Sequence, residues 1–122
     1  MPRPDEELHS FISSSFRSVW ALELILLLKS EKRSWSPADL VTTLRASELV
    51  VNNALHGLVA AGMVSVDDQG ATYMPVNDQI AECVDDVEQL YRTKPNAVRR
   101  AIIAASSSSA TEFADAFKLR KD

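Results

Sequence analysis

The sequence predicts a mainly helical single domain with one small β-hairpin. Apolar residues recur at helical spacing over residues 8–28, and residues 36–61 contain two segments that each begin with a capping serine. The β-prone runs "MVSV" and "ATYMPV" are separated by "DDQG", which predicts a hairpin with Gly70 at a positive φ. At 122 residues the chain is long enough to bury one hydrophobic core.

The N-terminal apolar segment is expected to belong to that core. Helical spacing begins at Leu8 and continues into the dense run "VWALELILLL" at residues 19–28, while "SSS" at 13–15 predicts a break into two helices. The dense run is about half the length that a bilayer requires and is interrupted by Glu23. The segment therefore predicts a buried helix and no membrane contact.

The next helix has a strong start signal. Ser36 is expected to be its N-cap, Pro37 occupies the first helical position, and Asp39 stands where a capping-box acid would lie. This helix is expected to end near Arg45.

A second capped helix follows after a short turn. Ser47 is its expected N-cap, the helix runs to Ala61, and Gly62 is expected to end it in the left-handed conformation. Its inward stripe consists of Val51, Leu55 and Leu58.

Helical spacing returns after the hairpin. Residues 77–91 predict a helix capped by Asn77, and residues 96–105 predict a further short helix. The predicted last helix begins with a capping box and carries two aromatic residues on one side; these residues are Ser109, Glu112, Phe113 and Phe117.

Composition excludes several classes of function. Hydrophobic residues form 46% of the chain, the net charge is −4, and the chain has neither a phosphate-binding glycine loop nor the HExxH, GxSxG or zinc-ligand spacings. We therefore expect no enzyme, no cofactor and no metal site. The single cysteine, Cys83, is expected to be a buried small hydrophobic residue, and it fits a reducing cytoplasm. The acidic, polar start "MPRPDEELHS" is not typical of a signal peptide.

The order of predicted elements and one long segment carry a resemblance to a known family. The segment "LVTTLRASELVVNNALHGLVAAGMVSV" resembles the core of MarR-type and related winged helix-turn-helix transcriptional regulators. Residues that match the end of that pattern are Leu55, Leu58, Gly62, Met63 and Val64. The resemblance covers about residues 15–92.

The resemblance implies a winged helix-turn-helix domain at residues 1–92 and a helical extension at residues 93–122 that docks or dimerises. It also implies a DNA-binding transcriptional regulator that forms a homodimer through its terminal helices. The residues that the resemblance places against DNA are Arg45, Ser47, Asn52, Asn53 and His56. Secondary basic contacts are expected from Arg17, Lys29, Lys32 and Arg33.

The charge of this segment departs from the family. Between residues 34 and 76 the only Lys or Arg is Arg45, and the net charge of the span is −3. DNA affinity comes largely from cations that neutralise phosphates, and the expected wing tip carries Asp67 and Asp68 instead. Two hypotheses follow: a DNA-binding regulator, which the resemblance favours slightly, and a winged-helix module that binds another protein, which the charge favours. The position of the basic residues relative to the helix at 47–61 discriminates between them.

Overall fold

The computed structural model describes residues 5–105 and confirms the mainly helical fold with a small antiparallel hairpin. In chain order the elements are α1 (Asp5–Ser15), α2 (Val19–Ser30), α3 (Pro37–Leu44), α4 (Glu48–Ala60), β1 (Val64–Asp67), β2 (Gly70–Tyr73) and α5 (Asp78–Thr93). Residues 95–105 are also helical and are labelled α6. This arrangement is compatible with a winged helix. The predicted helix with Phe113 and Phe117 lies outside the described residues.

The predicted N-caps are confirmed. The side-chain oxygens of Ser36, Ser47 and Asn77 accept hydrogen bonds of 3.1, 3.1 and 2.9 Å from backbone amides three residues later. Each bond satisfies a backbone N–H that has no partner inside its helix. The predicted break near the N-terminus is also confirmed, since α1 and α2 meet at a bend of 100° and Ser18 caps α2.

Left-handed residues end the two central helices. Arg45 follows α3 with φ 55° and ψ 40°, a conformation that costs a residue with a side chain more than it costs glycine. Gly62 follows α4 with φ 77°, as the sequence predicted, and Met63 donates a 3.0 Å hydrogen bond back to the Leu58 carbonyl. This tight turn directs the chain from α4 into β1.

The hairpin is joined to the body of the domain through Trp35. Strands β1 and β2 pair from Val64 with Tyr73 to Asp67 with Gly70. Trp35 forms an isolated bridge with Ala71 on β2, with two backbone hydrogen bonds of 2.8 Å. Gly70 has φ 131°, and a Cβ there would overlap the Trp35 carbonyl oxygen. This bridge, which no pattern in the sequence predicts, fixes the hairpin against the chain segment that leads into α3.

One core unites these elements. Residues Leu22, Leu24, Ile25 and Leu28 of α2 are fully buried, and α2 packs against α4. The same core includes residues of α6, namely Val98, Ala101 and Ile102. The start of the predicted C-terminal extension therefore packs with the rest of the domain, whereas a docking or dimerising role for residues 93–122 stays a prediction.

Within residues 5–105, no single helix has both the length and the apolar composition that crossing a membrane requires. Among the helices of the described residues, α1 and α2 meet those two criteria only when taken together, and the 100° bend lies between them.

Candidate functional site

Helix α4 presents a polar ridge to solvent. Val51, Leu55 and Leu58 are buried, as the sequence predicted, whereas Asn52, Asn53 and His56 are exposed. We call these three exposed residues the α4 ridge. Because amide and imidazole groups both donate and accept hydrogen bonds, the ridge can contact either a nucleic acid or a protein.

A cleft of about 690 Å³, lined by both polar and apolar residues, lies on one side of the ridge, between α4 and the start of α2. Arg17, Ser18 and Trp20 line it from the α2 side, and Asn53 and His56 line it from α4. The bend between α1 and α2 thus brings Arg17 beside two ridge residues that lie more than thirty positions away in sequence.

An apolar groove of about 430 Å³ lies on the other side of the ridge. The residues that line this apolar groove are Pro37 from α3, Asn52, Leu55, His56, Val59 and Ala60 from α4, and Val66 from β1. The side chains of Val59 and Val66 are 44% and 52% exposed. Large apolar side chains with this exposure, grouped in a concave surface, are typical of interaction sites.

Three carboxylates lie on the elements that form the groove. Asp39 is in the first turn of α3, two residues after Pro37, and Asp67 directly follows Val66 on β1. Asp68 is exposed in the hairpin turn, where the Asp67 carboxylate accepts a 2.9 Å hydrogen bond from the Gln69 amide. None of the three is among the residues that line the groove, and the Asp39 carboxylate lies 3.9 Å from the Arg33 guanidinium.

Lys29 does not lie with the α4 ridge. Its amine lies 2.8 Å from the Glu88 carboxylate and 3.2 Å from that of Asp85, both on α5. The hydrogen bond to Glu88 raises the pKa of Lys29. The charge of Lys29 is therefore used in the contact between α2 and α5.

Arg33 and Lys32 precede α3, and each is exposed. The Arg33 guanidinium lies 3.7 Å from the centroid of the Trp35 ring and 3.9 Å from the Asp39 carboxylate. Stacking on the indole and attraction to a carboxylate both hold Arg33 between Trp35 and the first turn of α3.

The remaining predicted contacts lie in the turn between α3 and α4. Arg45 is exposed there, and the Ser47 hydroxyl accepts the capping bond from Val50. Of the predicted basic residues, Arg17 is the one that shares a cleft with the ridge in the part of the chain that the structure describes. The structure therefore brings together Arg17, Asn53 and His56, and it separates them from Lys29.

The sequence pattern did not indicate the apolar groove. Val59 lies next to the buried stripe residue Leu58, so the pattern gave no reason to separate it from the core. The one available signal was its position about 100° around the helix from Leu58, on the side of the ridge. The proximity of Val66 depends on how the hairpin packs beside α4, which the sequence pattern does not specify.

Cys83 is buried, as the sequence predicted. In residues 5–105 no group of three or more His, Cys, Asp or Glu side chains could hold a metal ion.

The resemblance to winged-helix regulators depends on the segment at residues 40–66 and on the order of helices and hairpin. Comparisons of this chain with protein-family models, with curated proteins and with solved structures found no match.

Proposed function

We propose that this chain is a winged-helix protein-interaction module whose partner binds over α4 and β1. The observation that carries the proposal is the apolar groove beside the α4 ridge, on the face that a DNA-binding winged helix turns towards DNA. The same face therefore has the composition of a protein-binding surface.

Charge supports the choice of a protein over DNA. The span 34–76 has a net charge of −3, and the exposed hairpin turn carries Asp67 and Asp68. The negative charge of this turn would repel a DNA phosphate. DNA-binding proteins instead gain affinity when Lys and Arg neutralise phosphates and release their counterions. Lys29, which was expected to supply one such cation, is paired with Glu88 and Asp85 instead.

Exposed apolar area supports the same choice. Covering Val59 and Val66 removes apolar surface from water, at a gain of about 25 cal/mol for each Å². The amides of Asn52 at the groove edge can bond the polar atoms of a partner. A hydrophobic centre with a polar edge is the usual composition of a protein interface.

Site-specific photocrosslinking in the cells that produce the protein tests the proposal. A photoreactive residue at position 59 or 66 should crosslink a discrete protein, and the Val59→Asp substitution combined with the probe at position 66 should abolish the product. A probe at the exposed Gln89 on α5 is the control. Equal products from all three positions, or none from 59 and 66, would contradict the proposal.

A DNA-binding transcriptional regulator is the second candidate. It is favoured by Arg17, which lines a cleft together with Asn53 and His56, and by the family resemblance. Binding of the purified chain to generic duplex DNA at two salt concentrations tests it. Measurable affinity at low salt that falls steeply as salt rises supports DNA binding. Absence of affinity at low salt counts against it.

Both candidates are compatible with a cytoplasmic protein. A reducing compartment suits a chain whose single cysteine is buried and forms no internal disulfide.

A further inference from the structure

We propose that a small pocket between α1, α5 and α6 binds an acidic segment of another protein, with one apolar side chain of that segment in the pocket and its carboxylates against Lys94 and Arg100. Among the described residues, those that line this pocket are all different from those of the α4 ridge and the apolar groove. The inference therefore goes beyond the proposed function and adds a second interaction surface.

The pocket, which we call the α6 pocket, has a volume of about 170 Å³. Its lining is mainly apolar and consists of His9 and Ile12 from α1, Leu90 from α5, Lys94 from the turn before α6, and Ala97, Val98 and Ala101 from α6. Sites for small molecules usually measure about 300–1,000 Å³. The α6 pocket therefore suits a single apolar side chain better than a free ligand.

Two cations lie at this pocket. Lys94 lines it directly, and Arg100 lies three positions after the lining residue Ala97, a spacing that makes side chains neighbours on a helix surface. Both cations are exposed, and neither forms an ion pair with another described residue. The described lining contains no Asp or Glu, so the carboxylates that complement these cations come from the partner.

The surrounding segment is basic although the net charge of the chain is −4. Residues 92–100 contain four of the thirteen Lys and Arg residues and no Asp or Glu. At physiological ionic strength exposed charges separated by more than about 8 Å are largely screened, so a partner responds to the local charge and not to the net charge. Complementary charge of this kind raises association rates and fixes the orientation of the partner.

Contacts with the rest of the domain hold this surface in place. Val98, Ala101 and Ile102 bury one side of α6 in the core. The Arg99 guanidinium lies 5.3 Å from the centroid of the Tyr91 ring, which joins α6 to the end of α5. Because the pocket and its cations are already positioned, binding costs little ordering of this surface.

The apolar lining favours a protein over a nucleic acid as the partner. A sugar–phosphate backbone supplies negative charge but has no apolar side chain to enter the pocket. A peptide with an apolar residue between Asp or Glu residues supplies both parts. A hydrophobic centre with charged groups around it is also the usual composition of a protein interface.

Fluorescence anisotropy with labelled peptides and the full chain tests the inference. The first peptide has about 12 residues, which span up to about 40 Å when extended, and carries a central Leu flanked on both sides by Glu. The second replaces the Leu by Ser, and the third replaces every Glu by Gln. We expect the first peptide to bind at least about fivefold more tightly than either of the others.

A matched pair of variants tests the pocket. Ala97→Phe places a large side chain in the pocket and should weaken binding of the first peptide at least about fivefold. Ala104→Phe is the control, because Ala104 is exposed on the same helix but does not line the pocket. We expect the control to bind the peptide as the wild type does.

A second pair tests the cations. Lys94→Gln with Arg100→Gln should weaken binding about fivefold and reduce its dependence on salt. Lys94→Arg with Arg100→Lys retains both charges and should retain the affinity and its salt dependence.

Several outcomes would overturn the inference. Equal binding of the three peptides, or equal effects of Ala97→Phe and Ala104→Phe, would remove the α6 pocket as a peptide site. Duplex DNA that binds the wild type and is lost in the Gln variant, without peptide binding, would assign the surface to a nucleic acid. Tighter peptide binding after Phe113→Ser with Phe117→Ser would assign the pocket to the C-terminal segment of this chain. None of these results depends on crosslinking at positions 59 and 66, so the proposed function is tested separately.

Discussion

The amine of Lys29 on α2 donates a 2.8 Å hydrogen bond to the Glu88 carboxylate on α5. The two side chains are 19% and 17% exposed, so the pair is largely withdrawn from water. This ion pair joins two helices of the core. It also occupies the amine of Lys29, which the sequence had predicted to contact DNA.

Lys29→Met should lower the free energy of unfolding by about 1–3 kcal/mol, because it leaves the largely buried Glu88 carboxylate without its main partner. Urea unfolding measures the change. Arg92→Met is the matched control, since Arg92 lies 3.7 Å from the same carboxylate but is 67% exposed. We expect the control to change stability by less than about 0.5 kcal/mol. Equal effects of the two substitutions would show that burial of the pair is unimportant.

Stability should fall in alkaline solution. The hydrogen bond to Glu88 raises the pKa of Lys29, and burial raises the pKa of Tyr73 and of Tyr91. The folded chain then holds these protons more tightly than the unfolded chain, so the free energy of unfolding stays level below about pH 10 and falls as pH rises through the raised values. Urea midpoints at pH 8, 10 and 11 measure this.

Tyr91→Phe is the companion variant for the alkaline measurement. The Tyr91 hydroxyl donates a 2.6 Å hydrogen bond to Glu23, so the variant loses that contact at every pH but also loses one titrating group. Its stability should therefore fall less between pH 10 and 11 than that of the wild type. A steeper fall would contradict the assignment.

Two glycines should respond oppositely to alanine. Gly70→Ala forces a Cβ against the Trp35 carbonyl and strains a residue with φ 131°, so we expect a loss of at least about 2 kcal/mol. Gly57 lies inside α4 with open space around its Cβ position, so Gly57→Ala should stabilise the protein by about 0.5–1 kcal/mol. Thermal unfolding of both variants decides the matter, and a tolerated Gly70→Ala would show that the hairpin is not held by the Trp35 bridge.

The C-terminal segment carries two aromatic residues, Phe113 and Phe117, that were predicted to dock on the core or on a second subunit, and we test the second possibility. Phe113→Ser with Phe117→Ser should convert a dimeric mass to a monomeric one, because burial of aromatic side chains is a large part of interface energy. Light scattering of both chains measures the mass. A monomeric wild-type chain would remove the dimer from the proposal.

Local patterns in the sequence were sufficient to predict the helices and the residues at which they begin and end. Ser36, Ser47 and Asn77 cap the helices that they were expected to cap, because a cap depends on residues only three positions apart. Gly62 turns the chain after α4 as predicted, since only a residue without a side chain enters that conformation at low cost. The inward stripe of α4 followed from helical spacing alone, and that stripe also fixed which side of the helix faces solvent.

Packing between segments that are distant in sequence determined the contacts that local patterns did not predict. The sequence could not place Lys29 against Glu88, 59 residues away, or pair Trp35 with Ala71 across the hairpin. It also could not show that Val59 and Val66 line the same groove, or that Arg17 and His56 line the same cleft. Each of these contacts depends on the angles at which helices and hairpin meet, and those angles arise from the fit of side chains throughout the core. The sequence by itself therefore determined the elements and the exposed ridge, while the tertiary structure determined the charge and apolar character of the surface around that ridge.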